Sequence, residues 1–445
     1  MMPTPLKEII NVVGYDNVLS QSPELERYTI EGKTPNAVVL PQTIEEISEI
    51  MKIASSESLA VIPWGGGTKI SFGREPSRAD VVLCMSQLNQ VLEHEASDLV
   101  AATQCGITLK EFQGVLKEKN QFLAIDPPHL DRGATVGGIM ATNDSGPRRL
   151  RYGTMRELLI GIKVVRSDGA IVKGGAKVVK NVAGYDIPKL YVGSLGTLGI
   201  IVEGIFRLYP IPELSQTYLV SFSTPVEFQE TVLSILNSSL VPTCLETLSP
   251  VLMDAISDKL NLNLSRGEYA LAIRIESVGK AVRDQVSKVK DICGERGGEG
   301  ILIEGGLEET LWEEIREFPW RNPGNNKAVC KVSVLITDVP RVFQALEELS
   351  TKSGLGIYSS ARAGNGILII SIEGEMLPII EATKSLCNLV SSLKGNMVIQ
   401  DAPPFLKSQV DVWGEVGASI KVMERLKSHF DPKGILNPGR FVGEI

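Results

Sequence analysis

Val178-Val-Lys-Asn-Val-Ala-Gly-Tyr-Asp-Ile-Pro-Lys-Leu-Tyr-Val-Gly-Ser-Leu-Gly-Thr-Leu-Gly-Ile-Ile-Val-Glu203 is the stretch on which the reading of the fold turns. Upstream lie two other glycine-rich segments, Pro63-Trp-Gly-Gly-Gly-Thr-Lys69 and Ala134-Thr-Val-Gly-Gly-Ile-Met-Ala-Thr-Asn-Asp-Ser-Gly146. Each places small residues between β-branched runs, where backbone can approach a ligand with no side chain in the way. A single nucleotide on one loop would need one such segment. Three of them, spread over about 140 residues, suit a long, multiply phosphorylated cofactor threaded through a domain.

The loop at 63–69 matches neither common nucleotide fingerprint. The Gly-x-x-x-x-Gly-Lys-Ser/Thr of a Walker loop is missing, and Ile70 stands where Gly-x-Gly-x-x-Gly needs its third glycine. Its three consecutive glycines can still turn their N–H groups inward as an anion nest. The second segment, from Asp126-Pro-Pro-His through Asn143, adds hydroxyls and amides suited to a pyrophosphate and a flavin edge. It runs into Gly146-Pro-Arg-Arg-Leu-Arg-Tyr-Gly153, a basic lip that reads either as solvated surface or as a site for an anionic substrate or partner.

At 445 residues the chain is too long for one ordinary core, so two or more domains are expected. A net charge of −8 argues against a nucleic-acid footprint. Neither a secretory leader nor a membrane-length apolar run is legible, so a cytoplasmic protein is expected. The six cysteines include no Cys-x-x-Cys, which disfavours iron–sulfur and structural zinc sites built on close thiolates.

Periodicity organises the rest. Thr43 caps a helix over 44–57, Val61-Ile-Pro63 is a short strand, 80–85 and 99–103 are strands, and 109–119 is a helix. Residues 158–172 form a hairpin about Asp168-Gly169, 199–208 is a strand, and Tyr209-Pro-Ile-Pro212 ends the domain. From 218 to 400 strands and helices follow a split-βαβ pattern, closed by Asp401-Ala-Pro-Pro404. A helix over 418–429 and the tail Phe430-Asp-Pro-Lys-Gly-Ile-Leu-Asn-Pro-Gly-Arg440 complete the chain.

Taken together, the three glycine segments resemble the FAD-binding domain of the vanillyl-alcohol oxidase and D-2-hydroxyacid dehydrogenase flavoproteins. Gly146-Pro-Arg-Arg, Lys180-Asn-Val-Ala-Gly-Tyr-Asp186 and Gly193-Ser-Leu-Gly-Thr-Leu-Gly199 are similar to the smaller FAD-binding subunit of glycolate oxidase complexes, and the tail is similar to the superfamily's C-terminal signature. The resemblance implies an α+β fold: a two-lobed vanillyl-alcohol oxidase type FAD-binding domain, a split-βαβ (ferredoxin-like) cap and a C-terminal helical return. The implied segments are 1–34 as an N-terminal stretch, 35–212 as FAD domain, 213–404 as cap, and 405–445 as helix and tail.

It also implies a cofactor set of Pro63, Trp64, Gly65, Gly66, Gly67, Thr68, Lys69, Pro127, Thr135, Gly137, Gly138, Ala141, Thr142, Asp144, Ser145, Gly146, Tyr152, Gly153, Ile200 and Ile201. Gly65 to Thr68 would hold the pyrophosphate, and Ile200 or Ile201 would meet the adenine end. No histidine or cysteine lies in 63–69, where many relatives attach flavin, so the FAD is expected to be non-covalent. Arg148, Arg149 and Lys180 are candidates for substrate or partner contact.

The departures from the family weigh as much. Its His-Ala-Gly-Asp-Gly-Asn-Leu-His segment is replaced by Ser360-Ala-Arg-Ala-Gly-Asn-Gly-Ile-Leu368, with Ala361 and Leu368 at the histidine positions; Gly-Glu-His-Gly is absent. Leu195 replaces an acidic residue. Of His94, His129 and His429, the first reads as a solvated loop residue and the last as a helix C-terminal partner; only His129 approaches the cofactor segments. Three functions stay open. One is an FAD subunit relaying electrons beside a catalytic flavoprotein and an iron–sulfur subunit that oxidise glycolate or D-lactate. Another is a self-sufficient dehydrogenase using Arg148, Arg149, Tyr152 or Lys180. The last is a scaffold without chemistry.

Overall fold

Thr43 begins the first long helix by a reciprocal cap: its side chain accepts from Glu46 N, while Glu46 reaches back to the Thr43 amide. The helix, Ile44–Glu57, buries Ile47, Ile50, Met51 and Ala54 along one face. With Thr4–Val13 it covers a four-stranded sheet ordered Val18–Leu19, Ala37–Val39, Val81–Cys84, Val61–Trp64, whose last three strands are parallel. These strands are nearly continuous apolar runs, as parallel strands covered on both faces must be.

The computed structural model describes residues 4–175, 186–321 and 326–445. They divide into two units: 4–145, 153–175, 186–211 and 416–445 in the first, 146–152, 212–321 and 326–415 in the second. Residues 405–415, expected from the sequence to belong to the tail, fall in the second unit, as does the basic segment 146–152.

The second lobe of the first unit is an antiparallel five-stranded sheet, ordered Val91–Glu95, Val100–Gln104, Ile200–Arg207, Leu159–Val165, Ile171–Gly175. The expected Asp168-Gly169 hairpin joins its last two strands. His94 is on the edge strand rather than in a loop, its Nε2 2.9 Å from Gln121 Oε1.

The second unit carries one antiparallel eight-stranded sheet. Two split-βαβ halves make it. In the first half, Leu214–Phe222, Cys244–Leu248, Tyr269–Ser277 and Glu299–Glu304 lie in the order fourth, first, third, second. The second half repeats that order with Lys327–Ser333, Gly356–Arg362, Ile367–Glu373 and Asn396–Asp401, read from the opposite edge. The halves join where Cys244–Leu248 pairs with Gly356–Arg362. Cys244–Leu248 is not legible as a strand from sequence because Glu246 interrupts its apolar run.

No helix among the described residues is long and apolar enough to cross a membrane.

Candidate cofactor site

The strand Val61–Trp64 delivers the first glycine loop against the second segment. The fit is close: a Cβ on Gly66 would lie 1.9 Å from the Gly133 carbonyl oxygen, and one on Gly65 would lie 2.2 Å from Thr135 Oγ1. Side chains there would force the loops apart, so glycine is needed for the loops to meet at all.

Thr135 caps the short helix Val136–Thr142, accepting from Gly138 N at 3.2 Å, and Thr142 Oγ1 donates to Gly138 O at 2.8 Å. The third segment is sewn onto this helix by backbone: Gly193 N donates to Met140 O at 2.8 Å and Leu195 N to Ala141 O at 2.9 Å. Lys69 Nζ lies 3.1 Å from Asp144 Oδ2, which ties the first loop to the end of the second segment.

The tail then binds the first and third segments. Val61 N donates to Ile435 O at 2.7 Å and Asn437 N to Val61 O at 2.9 Å. Asn437 Nδ2 donates to Leu195 O at 2.6 Å, and Arg440 Nη2 donates to the carbonyls of Ile70 and Phe72. Behind it, buried Lys427 donates to Thr197 O and Leu436 O and pairs with Asp431 at 2.8 Å. Burial lowers the Lys427 pKa against the pull of Asp431.

These segments line a cleft and an adjoining groove, both partly open to solvent. Pro63, Gly65, Thr135, Gly138, Ala141 and Gly196 line both, so the two are continuous. Of the expected cofactor residues, Gly66, Gly67, Thr68, Lys69, Thr142 and Asp144 also line the cleft. Trp64, Gly137, Ile200 and Ile201 line the groove. Bare loop backbone, threonine hydroxyls, Lys69 and Arg440 suit phosphate oxygens, while Ile70, Phe72, Ile139 and Leu195 suit a flat apolar ring system. The donor set fits FAD.

A family model described as "FAD binding domain" matches residues 35–175, and one described as "FAD linked oxidases, C-terminal domain" matches 211–397 and 410–441. The glycolate oxidase subunit GlcD of Bacillus subtilis is 30% identical over 91% of this chain and 88% of its own length. The chain belongs to the FAD-linked oxidases.

FAD is therefore the cofactor of this family member, an FAD-dependent oxidoreductase. A D-lactate dehydrogenase of Archaeoglobus fulgidus is 30% identical over 92% of the chain and 91% of its own length. Among solved structures, p-cresol methylhydroxylase with substrate bound aligns at a TM-score of 0.78 and 17% identity, covering 98% of this chain and 96% of that one. It shares the fold expected from the sequence.

The remaining expected residues of this FAD-linked oxidase lie elsewhere. Pro127 and Ser145 are buried outside the cleft, and Pro128 lines it in place of Pro127. Gly153 sits at φ +79°, packed against Glu157. Gly146, Arg148, Arg149 and Tyr152 belong to the second unit. There Arg148 Nη2 donates to Glu276 Oε1 at 2.7 Å, and Arg151 Nη1 donates to Glu276 O at 2.6 Å. Burial alone would raise the Glu276 carboxyl, but Arg148 and Arg274, with Arg151, more than offset it and hold it below its ordinary value. Lys180 lies outside the described residues.

Ala361 and Leu368, which the sequence resemblance sets at the family's histidine positions, are direct cross-strand partners and fully buried. Among the described residues no group of three or more His, Cys, Asp or Glu is placed to hold a metal. Sequence reasoning missed Asn437 and Arg440 as cleft residues; the polar end of the tail motif was the signal that could have found them.

Proposed function

We propose that this chain binds FAD non-covalently and serves the oxidation of a small 2-hydroxyacid, glycolate or D-lactate, as the FAD-bearing subunit of a cytoplasmic complex. The observation that carries the flavin part is the convergence of three glycine segments and the tail on one cleft. The substrate class rests on the similarity to a glycolate oxidase subunit and a D-lactate dehydrogenase over nine-tenths of the chain.

Oxidation of a 2-hydroxyacid to its 2-oxoacid removes two electrons and two protons, and bound FAD supplies the acceptor for the electrons. The residues of the cleft bind and orient. Loop amides, with Thr68 and Thr135, would hold the phosphates, and Ile200 or Ile201 would meet the adenine end. Cys105 lines the groove, but burial, reinforced by Glu203, raises its thiol pKa, which leaves it a poor nucleophile toward flavin. That supports non-covalent attachment.

Ala361 and Leu368, set by resemblance where the family has histidines, are buried, and Arg148 is paired with Glu276. Both favour a chain that relays electrons or supports a catalytic flavoprotein and an iron–sulfur subunit. The competing reading, a self-sufficient dehydrogenase, is favoured by the similarity to D-lactate dehydrogenase along most of that enzyme's length.

An anaerobic absorbance spectrum of the purified chain, before and after D-lactate or glycolate, separates them. Flavin bands that stay oxidised until the partner flavoprotein is added are the expected result. Bleaching by substrate alone would establish the self-sufficient enzyme. A colourless protein that takes up no added FAD would sink the flavin reading.

A further inference from the structure

Asn437 lines the cleft and is 5% exposed. Its Nδ2 donates to Leu195 O at 2.6 Å, and its backbone N–H donates to Val61 O at 2.9 Å. The bond to a carbonyl fixes the sense of the amide, because the flipped side chain would set oxygen against oxygen. That leaves Oδ1, which is buried and has no hydrogen-bond partner among the described residues. A buried amide oxygen without a donor is costly, and folded proteins seldom leave one. Backbone conformation marks the same place. Of the described non-glycine residues with left-handed φ, the two that line the cleft are Leu195 at +51° and Asn437 at +46°. They are the pair that this hydrogen bond joins. Asparagine adopts that conformation readily and leucine only at a cost, which is met where the surroundings over-determine it, typically around ligands.

We propose that Asn437 Oδ1 accepts a hydrogen bond from the riboflavin half of the cofactor. This rests on the flavin reading above and adds a ligand from the far end of the chain. An amide oxygen needs a donor, and an ionised diphosphate offers only acceptors. The donors of FAD are the adenine amino group and ribose hydroxyls at one end, and the ribityl hydroxyls and ring N3–H at the other. Asn437 is absent from the groove of Ile200 and Ile201, where the adenine end is expected. It lines the cleft with Ile70, Phe72, Ile139 and Leu195, the residues suited to the ring system. With Nδ2 and the backbone N–H both engaged, the acceptor is held in place before the cofactor arrives. The tail thereby becomes part of the cofactor site, coupling flavin retention to docking of the last chain segment.

The test uses full-length protein stripped of flavin, comparing wild type with Asn437→Gly, which suits the left-handed backbone while removing the side chain. Circular dichroism verifies folding. FAD, riboflavin and ADP are titrated by fluorescence or calorimetry, together with lumiflavin, which lacks the ribityl hydroxyls, and 3-methylriboflavin, which lacks N3–H. Asn437→Gly is expected to weaken riboflavin roughly 3- to 10-fold, the worth of one neutral hydrogen bond, and ADP by less than about 2-fold. One analogue should bind wild type and variant within about 2-fold of each other. It will be lumiflavin if a hydroxyl is the donor, and 3-methylriboflavin if N3–H is. Asn437→Asp, which keeps an acceptor and loses the donor to Leu195, should retain most of the riboflavin affinity.

Equal losses for ADP and riboflavin, a loss undiminished with both analogues, or an aspartate variant no better than glycine would overturn the proposal and leave Asn437 as a pin for Leu195. Unchanged riboflavin affinity would also overturn it, a buried water then satisfying Oδ1. Wild-type protein that binds neither FAD nor riboflavin would overturn the flavin reading together with it. Because these titrations use no hydroxyacid, failure of the substrate assignment shows only in the reduction experiment and is distinguishable from failure here.

Discussion

Gly66 shows how much a single missing side chain decides. The Cβ of an alanine would sit 1.9 Å from the Gly133 carbonyl, and backbone cannot yield as a flexible side chain can. Gly66→Ala should therefore purify with little flavin and a lowered melting temperature, read from the flavin-to-protein absorbance ratio and a thermal scan; full occupancy would refute the close approach. Glu276 is the corresponding residue of the second unit. Its carboxyl lies below its ordinary value of 4.5, so the stability it contributes is present above that pH and is lost as pH falls through the folded value. Glu308 works in the opposite sense, because burial raises its carboxyl. Comparing wild type with Glu276→Gln across that acid range isolates the first effect: the variant's melting temperature should fall less steeply on the acid side. Arg148→Ala should cost about 3 kcal/mol in urea unfolding, as removal of one partner of a buried pair does. A cost near zero would mark Arg148 as a surface residue, the bland reading of the basic run.

Elements with strong local signals were legible in advance. The helix Ile44–Glu57 announces itself by Thr43, Glu46 and an apolar stripe, and Thr43→Ala should cost about 1 kcal/mol of stability in chemical denaturation. The hairpin about Asp168-Gly169 was legible for the same reason, since a turn signal sits between two β-branched runs. Short strands were not. Val18–Leu19 and Ala37–Val39 have too few residues to show a period, and exist because neighbouring strands offer them partners. Val91–Glu95 reads as polar loop because two glutamates and His94 lie on a half-buried edge. Cys244–Leu248 is central and fully buried, yet carries Glu246, whose Oε1 lies 3.9 Å from Arg362 Nε of the neighbouring strand. A charge in a central strand is intelligible only once its partner is known.

At the scale of the molecule, the first unit is assembled from three separate stretches of chain, with the second unit's sequence running between them. Its cofactor cleft is incomplete until the last stretch returns, because Ile435, Asn437 and Arg440 hold Val61, Leu195 and the loop at 70–72. Removing residues 431–445 should yield a chain that keeps secondary structure by circular dichroism but retains no flavin. Retention of flavin would make the tail a mere appendage. Conversely, FAD at 100 times its dissociation constant should stabilise the full chain by about 2.7 kcal/mol, visible as a rise in melting temperature over the apoprotein.

The sequence by itself determined the class of fold, the cofactor and the glycine loops that meet at the cleft, because glycine spacing, caps and turns are local and leave a local signature. It also set Ala361 and Leu368 where the resemblance expects histidines. Tertiary structure alone decided which charges matter. Arg148, prominent in a basic run, is spent on Glu276, 128 residues away, whereas Arg440, inconspicuous at the end of the chain, is buried in the cleft wall. Pairing and burial depend on what folding brings from elsewhere in the chain, and no local pattern records it.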